Sequence, residues 1–435
     1  MRSTSTLRRR LLNRDARVAV VGQGYVGLSL ACAAAEAGFE VVGVDVDAGR
    51  VDALAAGELV VPGVDEATFR RGVDSGRLRF TAADAALADS DVVCICVPTP
   101  VRDHTPDLSY VEQACRDVAR HLVGGRLVVL ESSTYPGTTN DLVAPLLEAS
   151  GQRVGRDFLL AYSPERIDPG NTEYHFANTP RIVGGTTAEA TTVAALFYEQ
   201  MIEKVVTVSS ARAAELAKLL ENTFRHVNIA LVNEMATVCH ELGIDVWEVI
   251  EAAATKPFGF MAFTPGPGVG GHCIPLDPTY LAWQVRRDVG HQFRILEQAE
   301  DVNAQMPGWV ARRIGEALNE HAKPLKGARV LVLGVAYKPD VGDVRESPSL
   351  RVMATLARRG ARLAFHDPFV AEVTVDGRRL ARTELTARAV ARADLVALLT
   401  PHSSYDLEWL AGAATLLFDA RNAFGPGRRP NLVRL

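Results

Sequence analysis

Cysteine is scarce in this chain. There are six in 435 residues, at Cys32, Cys94, Cys96, Cys115, Cys239 and Cys273, and no two form a C-x-x-C pair. A disulfide framework or a structural zinc site is therefore not expected, no metal is assigned, and a reducing cytoplasm is the natural compartment. No apolar run approaches the roughly 20 residues that span a bilayer, so no membrane partner is expected. Excess charge is also small. The formal net charge is −5, which gives no reason to expect nucleic acid or an anionic membrane as a partner. An anionic substrate would need a local basic site. The arginine-rich start, Met1 to Asp15, has no apolar run of signal-peptide length and reads as a flexible extension, not a targeting segment.

The apolar fraction of 48% and charged fraction of 23% are those of an ordinary globular protein, and 435 residues allow two or three domains. Ala16 to Val21 reads as a short apolar strand. It is followed by Gly22-Gln-Gly-Tyr-Val-Gly27 and by a helical stretch ending at Gly38. This is G-x-G-x-x-G in the context that gives it meaning: strand, tight turn, helix. Gly22 permits the turn, Gly24 lets a pyrophosphate approach, Gly27 lets helix and strand pack, and the helix start offers amide donors. A second strand, Glu40 to Val44, ends in Asp45. An acid there binds the adenosine ribose and repels a 2′-phosphate, so NAD is expected over NADP.

Further strands, Val92 to Val97, Leu127 to Glu131 and Phe158 to Tyr162, end in small polar or turn residues. In a parallel sheet, ligands bind beyond the carboxyl ends of the strands. Thr99, Ser133 and Thr134 are thus candidates for the nicotinamide end, although Ser and Thr are common in any strand-to-helix turn. Glu165, in Ser163-Pro-Glu-Arg-Ile-Asp-Pro-Gly170, is a candidate general base or water-positioning group.

From Ala211 to Leu242 there is no Pro or Gly, and the pattern is helical over roughly 45 Å. A helix of that length joins domains or builds a dimer interface. Lys218 and Asn222 share a face and could hold an oxyanion, the bland alternative being a solvated stripe. His226 continues the stripe and reads as a satisfied structural histidine. Then comes Gly266-Pro-Gly-Val-Gly-Gly-His-Cys-Ile-Pro-Leu-Asp-Pro278, with four glycines in six residues ahead of Cys273 and with Asp277 four residues past the thiol. Glycine lets backbone approach a ligand closely, and Cys273 is the candidate nucleophile. Alone, such a stretch also reads as an ordinary loop carrying a small buried hydrophobe.

The second half repeats the βαβ alternation, with strands near residues 329–333, 362–365, 395–399 and 415–418, and no full glycine fingerprint. Lys338, Arg345 and Arg421 fall at strand ends, where they could grip phosphate or sugar. The expected fold is α/β: two doubly wound Rossmann-like domains joined by a central long-helix domain. The expected boundaries are 16–208 for the NAD domain, 209–308 for the helical dimerisation domain with the cysteine loop, and 309–435 for the second Rossmann-like domain.

These residues resemble the nucleotide-sugar 6-dehydrogenases, the UDP-glucose and UDP-N-acetylhexosamine 6-dehydrogenases, from about Ala16 to Arg421. The likeness rests on Gly22 to Gly27, Ser133-Thr-Tyr-Pro-Gly-Thr138, Ser163-Pro-Glu165, Glu215-Leu-Ala-Lys-Leu-Leu-Glu-Asn222, Gly268-Val-Gly-Gly-His-Cys273, Lys338 and Arg345-Glu-Ser347. It implies that C6 of a UDP-hexose is oxidised from alcohol to carboxylate with two NAD, giving a uronic acid of the kind used in polysaccharides. Cys273 would capture the aldehyde as a thiohemiacetal and then carry a thioester that water hydrolyses. Lys218 and Asn222 would steady oxyanions, and Thr134 would help place water. Asp277 and Glu165 would handle protons, with the main acceptor left open between them. The resemblance also implies that Tyr25, Val26, Arg50 and Arg345 contact the cofactor. Arg166, Phe260, Gly270, Tyr337, Lys338 and Arg421 would contact the substrate, with Glu165, Lys218 and Asn222. A homodimer is implied, with the segment from Lys256 to Phe263 reaching the neighbour's sugar site.

One position departs from the UDP-glucose pattern. Where those enzymes often carry a second glutamate, four residues past Glu165, this chain has Pro169. That version, like Thr255-Lys-Pro-Phe-Gly-Phe260, resembles the N-acetylhexosamine enzymes. UDP-glucose, or a TDP sugar, is the alternative substrate. A two-electron hydroxyacid dehydrogenase of similar domain order is a further alternative, but it needs no cysteine. A nucleotide-binding sensor without catalysis has no use for Lys218, Asn222, Cys273 and Asp277 together.

Overall fold

The computed structural model describes residues 4–435 apart from 62, 103, 104, 169, 170, 172, 272, 273 and 428. The chain divides into two compact units, Met1–Glu221 with Thr279–Arg287 and Asn222–Pro278 with Asp288–Leu435.

The first unit is built on an eight-stranded sheet. Its strands are β1 (Arg17–Val21), β2 (Glu40–Val44), β3 (Leu78–Thr81), β4 (Val92–Ile95), β5 (Leu127–Leu130), β6 (Leu159–Tyr162), β7 (Arg181–Gly185) and β8 (Val205–Thr207). The order is β8-β7-β6-β5-β4-β1-β2-β3. Val18, Ala19 and Val20 are fully buried, as the near-continuous apolar runs of a parallel sheet covered on both faces require. The strand order reverses about β1, which pairs in parallel with both β2 and β4. A ligand crevice is expected at such a reversal. Only the β6–β7 pairing is antiparallel, so β7 and β8 run against the rest, a reversal that the βαβ alternation does not announce.

The segment expected to be a flexible extension is instead a helix over Thr4–Asn13. Leu7 and Leu11, one turn apart, are 2% and 0% exposed within the sheet's apolar core. Burying each contributes about 1.5–3 kcal/mol. Arg10 adds an ion pair of 2.5 Å to the buried carboxylate of Asp91.

The long helix spans Ala211–Leu242 without interruption. The second unit carries a five-stranded parallel sheet of β9 (Arg329–Leu333), β10 (Arg362–His366), β11 (Leu395–Leu398), β12 (Leu417–Asp419) and β13 (Leu432–Arg434), in the order β10-β9-β11-β12-β13. Its reversal lies at β9. Ser347 precedes the Pro348–Arg358 helix, with Pro at the first helical position where a missing N–H costs nothing.

Candidate functional site

Gly22 has φ +93°, and a Cβ there would lie 2.6 Å from the Cys96 carbonyl oxygen. A Cβ on Gly27 would collide with Gly22 outright. Both glycines are thus fixed by the turn between β1 and the Tyr25–Glu36 helix. Gly24, the residue before that helix, has open space where a Cβ would be and makes no side-chain cap bond. The amides at Tyr25 and Val26, both half-buried, stand at a helix start, the kind of donor a pyrophosphate binds. Asp45, 6% exposed at the end of β2, accepts from the amides of Gln23 (2.7 Å) and Asp47 (2.9 Å) and from Arg50 Nη1 (2.9 Å). The acid therefore also braces the glycine turn, a second job that its spacing does not reveal. These residues fit a dinucleotide.

At the other strand ends, Thr99 and Ser133 are half-buried and Thr134 is fully buried. The Thr134 hydroxyl has no hydrogen-bond partner among the described residues. A buried hydroxyl left unmatched costs about 1–3 kcal/mol, so this position is suited to an incoming polar group. Tyr280 donates its hydroxyl to the Thr99 carbonyl, and Gln284 donates to the Pro136 carbonyl. Trp283 packs on Tyr135 at 5.1 Å, and the Arg287 guanidinium lies 4.3 Å from the Trp283 ring. The stretch that follows the cysteine loop is thereby pinned to the loops after β4 and β5.

Glu165 has both oxygens occupied. Oε1 accepts from the amides of Arg166 and Ile167, each at 2.6 Å, and Oε2 accepts from Arg181 Nη1 at 2.8 Å. The Arg166 side chain turns away to Glu221 (2.7 Å) and the Pro180 carbonyl (2.6 Å). Arg181 also pairs with Glu131, which is 1% exposed and accepts from the Tyr198 hydroxyl. Burial pushes the Glu131 carboxyl up against the opposing charge of Arg181. Glu131 and Arg181 escape a reading of the sequence because they stand on separate strands, fifty residues apart.

On the long helix, Glu215 is fully buried and accepts from the Gly137 amide (2.6 Å), the Thr139 amide (2.8 Å) and the Thr139 hydroxyl (2.6 Å). Burial pushes its carboxyl up to about 7, against those three donors. Lys218 is 8% exposed and makes no hydrogen bond or ion pair among the described residues. Asn222 is 4% exposed and donates to Asp277 Oδ2 at 2.5 Å, with Asp277 itself 3% exposed. His226, expected to be satisfied, has neither ring nitrogen hydrogen-bonded among the described residues. Burial pushes it down to about 4, opposed by the Ile274 backbone beside the ring.

Cys273 and His272 lie outside the described residues. The glycine stretch before them does not. Gly266 donates its amide to Asn233 Oδ1 (2.9 Å), and the Arg421 guanidinium packs against its backbone. Gly270 packs on Tyr337 and Pro348, and Gly271 donates its amide to the Arg345 carbonyl (3.1 Å). Gly271 has φ +87°, and a Cβ there would be 2.9 Å from the Tyr337 ring. Three of the expected substrate residues, Gly270, Tyr337 and Arg421, thus belong to the neighbourhood of one loop. Burial pushes Arg421 down to about 10, against the attraction of Asp419. The Arg345 side chain, 63% exposed, pairs with Asp343 at 2.6 Å, and Phe260 is 41% exposed. Both side chains are exposed to solvent.

Models of three consecutive domains of the UDP-glucose/GDP-mannose dehydrogenase family match the chain: the NAD binding domain over residues 16–202, the central domain over 212–305 and the UDP binding domain over 331–426. A UDP-N-acetyl-D-mannosamine dehydrogenase of Pyrococcus horikoshii is 38% identical over 357 residues, 81% of this chain and 84% of that protein. One from Escherichia coli K12 is 34% identical over 404 residues, 90% of this chain and 94% of that protein. The solved structure of a UDP-D-ManNAc dehydrogenase from Pyrococcus horikoshii superposes with TM-score 0.87 at 34% identity, covering 96% of this chain and 98% of that one. The chain is an NAD-dependent oxidoreductase that acts on a nucleotide sugar. It belongs to the UDP-glucose/GDP-mannose dehydrogenase family.

Proposed function

We propose that the protein oxidises C6 of a UDP-N-acetylhexosamine from alcohol to carboxylate in two steps on one active site, with N-acetyl-D-mannosamine as the first candidate sugar. The observation that carries this reading is Lys218. It is a lysine only 8% exposed, with no partner among the described residues, four residues before an Asn that holds a buried carboxylate. A cation drawn partly out of water and left without a counter-charge is suited to meet an anion. Oxyanions forming at C6 would be that anion. The choice of sugar is supported by Pro169 in place of a glutamate, by Thr255-Lys-Pro-Phe-Gly-Phe260, and by the names of the relatives.

Bound NAD supplies the hydride acceptor for both oxidations. The glycine turn with the Tyr25 and Val26 amides would hold its pyrophosphate and Asp45 with Arg50 its adenosine ribose. Thr99, Ser133 and Thr134 would hold its nicotinamide end, with Arg345 also in contact. After the first oxidation the Cys273 sulfur bonds to the aldehyde carbon, and the thiol proton passes to the new hydroxyl. Lys218 and Asn222 hold that oxygen. The second oxidation removes a hydride and the hydroxyl proton and leaves a thioester. Water, placed by Glu165 and Thr134, adds to the thioester carbon. The carbon–sulfur bond breaks, sulfur recovers a proton, and the sugar leaves as a carboxylate with one proton released. Asp277, fixed by Asn222, is placed to pass protons. Arg166, Phe260, Gly270, Tyr337, Lys338 and Arg421 would hold the nucleotide sugar. Residues 16–208, 209–308 and 309–435 would divide the work into dinucleotide binding, cysteine chemistry with dimerisation, and nucleotide-sugar binding.

The test is stoichiometry. With UDP-N-acetyl-D-mannosamine, two NADH should form per sugar consumed. One NADH per sugar, with aldehyde as the end product, would refute the covalent route. A panel of UDP- and TDP-hexoses then checks the sugar, and a kcat/KM higher for UDP-glucose would displace the N-acetylhexosamine.

A further inference from the structure

We propose that Arg181 is a positioning residue for Glu165, with Glu131 as its buried counter-charge, and that it acts in the hydrolytic step of the reaction proposed above, on which it rests. The guanidinium spends every face. Nη1 donates to Glu165 Oε2 at 2.8 Å, Nη2 to Glu131, and Nε to Ser163 Oγ at 2.9 Å. Its carbon lies 4.7 Å from the Tyr198 ring centre and 5.5 Å from that of Phe176. The side chain is 4% exposed, Glu131 is 0% and Glu165 is 12%. Arg181 therefore links a carboxylate sealed in the core to one at the edge of solvent.

Stability does not account for this arrangement. Buried ion pairs roughly break even against apolar residues of the same size. Glu131 is already served by one guanidinium nitrogen and by the Tyr198 hydroxyl, so neutralising it needs no arm to Glu165. The third arm instead fixes a rotamer. With two amides on Oε1 and Arg181 on Oε2, the Glu165 carboxyl plane has one orientation. A planar guanidinium whose three nitrogens are each tied to a different residue does this better than a lysine could. Water attack on a thioester needs the group that holds the water to be placed to within a fraction of an ångström, and a misplacement of about 1 Å costs about a hundredfold.

The experiment compares Glu165→Gln, Arg181→Lys and the double variant in the full-length protein, with NAD and the nucleotide sugar. Three quantities are read: kcat, KM for each ligand, and the covalent sugar adduct by intact-mass measurement during turnover. Arg181→Lys should lower kcat about tenfold to a hundredfold, leave both KM values within about threefold, and accumulate the same adduct as Glu165→Gln. The double variant should be no slower than Glu165→Gln alone, because the two residues act as one unit. Should Arg181→Lys fold poorly, Ser163→Ala removes the Nε anchor, together with the hydroxyl's bond to the Ile182 carbonyl, and should show a smaller kcat loss with the same adduct. If Glu165→Gln slows turnover while Arg181→Lys and Ser163→Ala run at the normal rate, Arg181 is structural and the proposal fails alone. If Glu165→Gln is itself as fast as the parent and accumulates nothing, the role of Glu165 and this proposal fall together.

Discussion

Lys218 is 8% exposed and has no hydrogen bond or ion pair among the described residues, one turn from Asn222. If the lysine served packing, Lys218→Met would be harmless to activity, since methionine keeps most of the stem. If it meets charge that develops during the reaction, its loss removes an oxyanion donor, which typically costs a hundredfold or more in kcat. Lys218→Met is expected to lose more than about fiftyfold in kcat on that scale, with a melting temperature unchanged or raised. A folded variant with normal kcat would move the oxyanion role to Asn222 and backbone amides. His226 gives a second test at this scale. Its folded pKa, pushed down to about 4 by burial, lies below the ordinary imidazole value of 6.5. The unfolded chain thus binds more protons between those values, and the stability linked to His226 is full above pH 6.5 and lost as pH falls towards 4. The contribution reaches about 3 kcal/mol at one pKa unit per 1.4 kcal/mol. Glu215 runs the other way: pushed up to about 7 by burial, it loses stability as pH rises from about 4.5 to 7. Urea unfolding at pH 4.5 and pH 7 isolates the histidine, because His226→Gln should flatten the acid-side slope while leaving the Glu215 contribution in place. An unchanged slope would mean that the imidazole is not held neutral.

The long helix departs from the usual amphipathic pattern. At 3.6 residues per turn, Glu215, Lys218, Asn222, His226 and Asn233 fall within about 80° of one another, and all are buried. Leu216, Leu220, Phe224, Leu231, Met235, Val238 and Leu242 fall within about 100° on the opposite side, and all are exposed, from 39% to 67%. A surface helix normally turns its apolar stripe inward. Here Leu219, Val232, Ala236 and Cys239 are buried too, but a second apolar stripe faces out and a polar row shares the buried side. The length of this helix was legible, since thirty-two residues without Pro or Gly permit nothing shorter. So was the first glycine turn, because strand, turn and helix are local and each glycine answers a local steric demand. The repeated βαβ order likewise announced the second sheet. What escaped was set by distance along the chain. Arg181 meets Glu131 and Glu165 across three strands, and β7 runs antiparallel because of how the chain returns, not because of its own composition. The Thr4–Asn13 helix escaped because two leucines among arginines look soluble until a core receives them. Cys273, the residue most plainly marked by its sequence neighbourhood, lies outside the described residues.

At the scale of the whole molecule, the exposed apolar stripe needs a cover. Seven large apolar side chains on one face of the helix form a stripe of the kind that marks an interface on an otherwise ordinary surface. A second copy of the chain offers the same stripe. Two such helices can pair about a twofold axis, each residue meeting its counterpart's neighbourhood. The loop before the glycine stretch is apolar and exposed as well, with Phe258 at 71%, Phe260 at 41% and Met261 at 64%. In the dimer that loop would reach the neighbour's sugar site, which would give the exposed Phe260 the substrate contact expected of it. The protein is therefore expected to be a dimer by light scattering at assay concentration. Leu220→Glu combined with Leu231→Glu puts charges into the stripe without touching the buried polar face, and should give a folded monomer. If Phe260 completes the partner's site, this monomer should bind NAD as the parent does but show a KM for the nucleotide sugar raised about tenfold or more, the cost of losing about 1.4 kcal/mol of contact. A monomeric parent with full activity would refute the interface. A monomeric variant with an unchanged sugar KM would keep the interface and remove the loop from the neighbour's site.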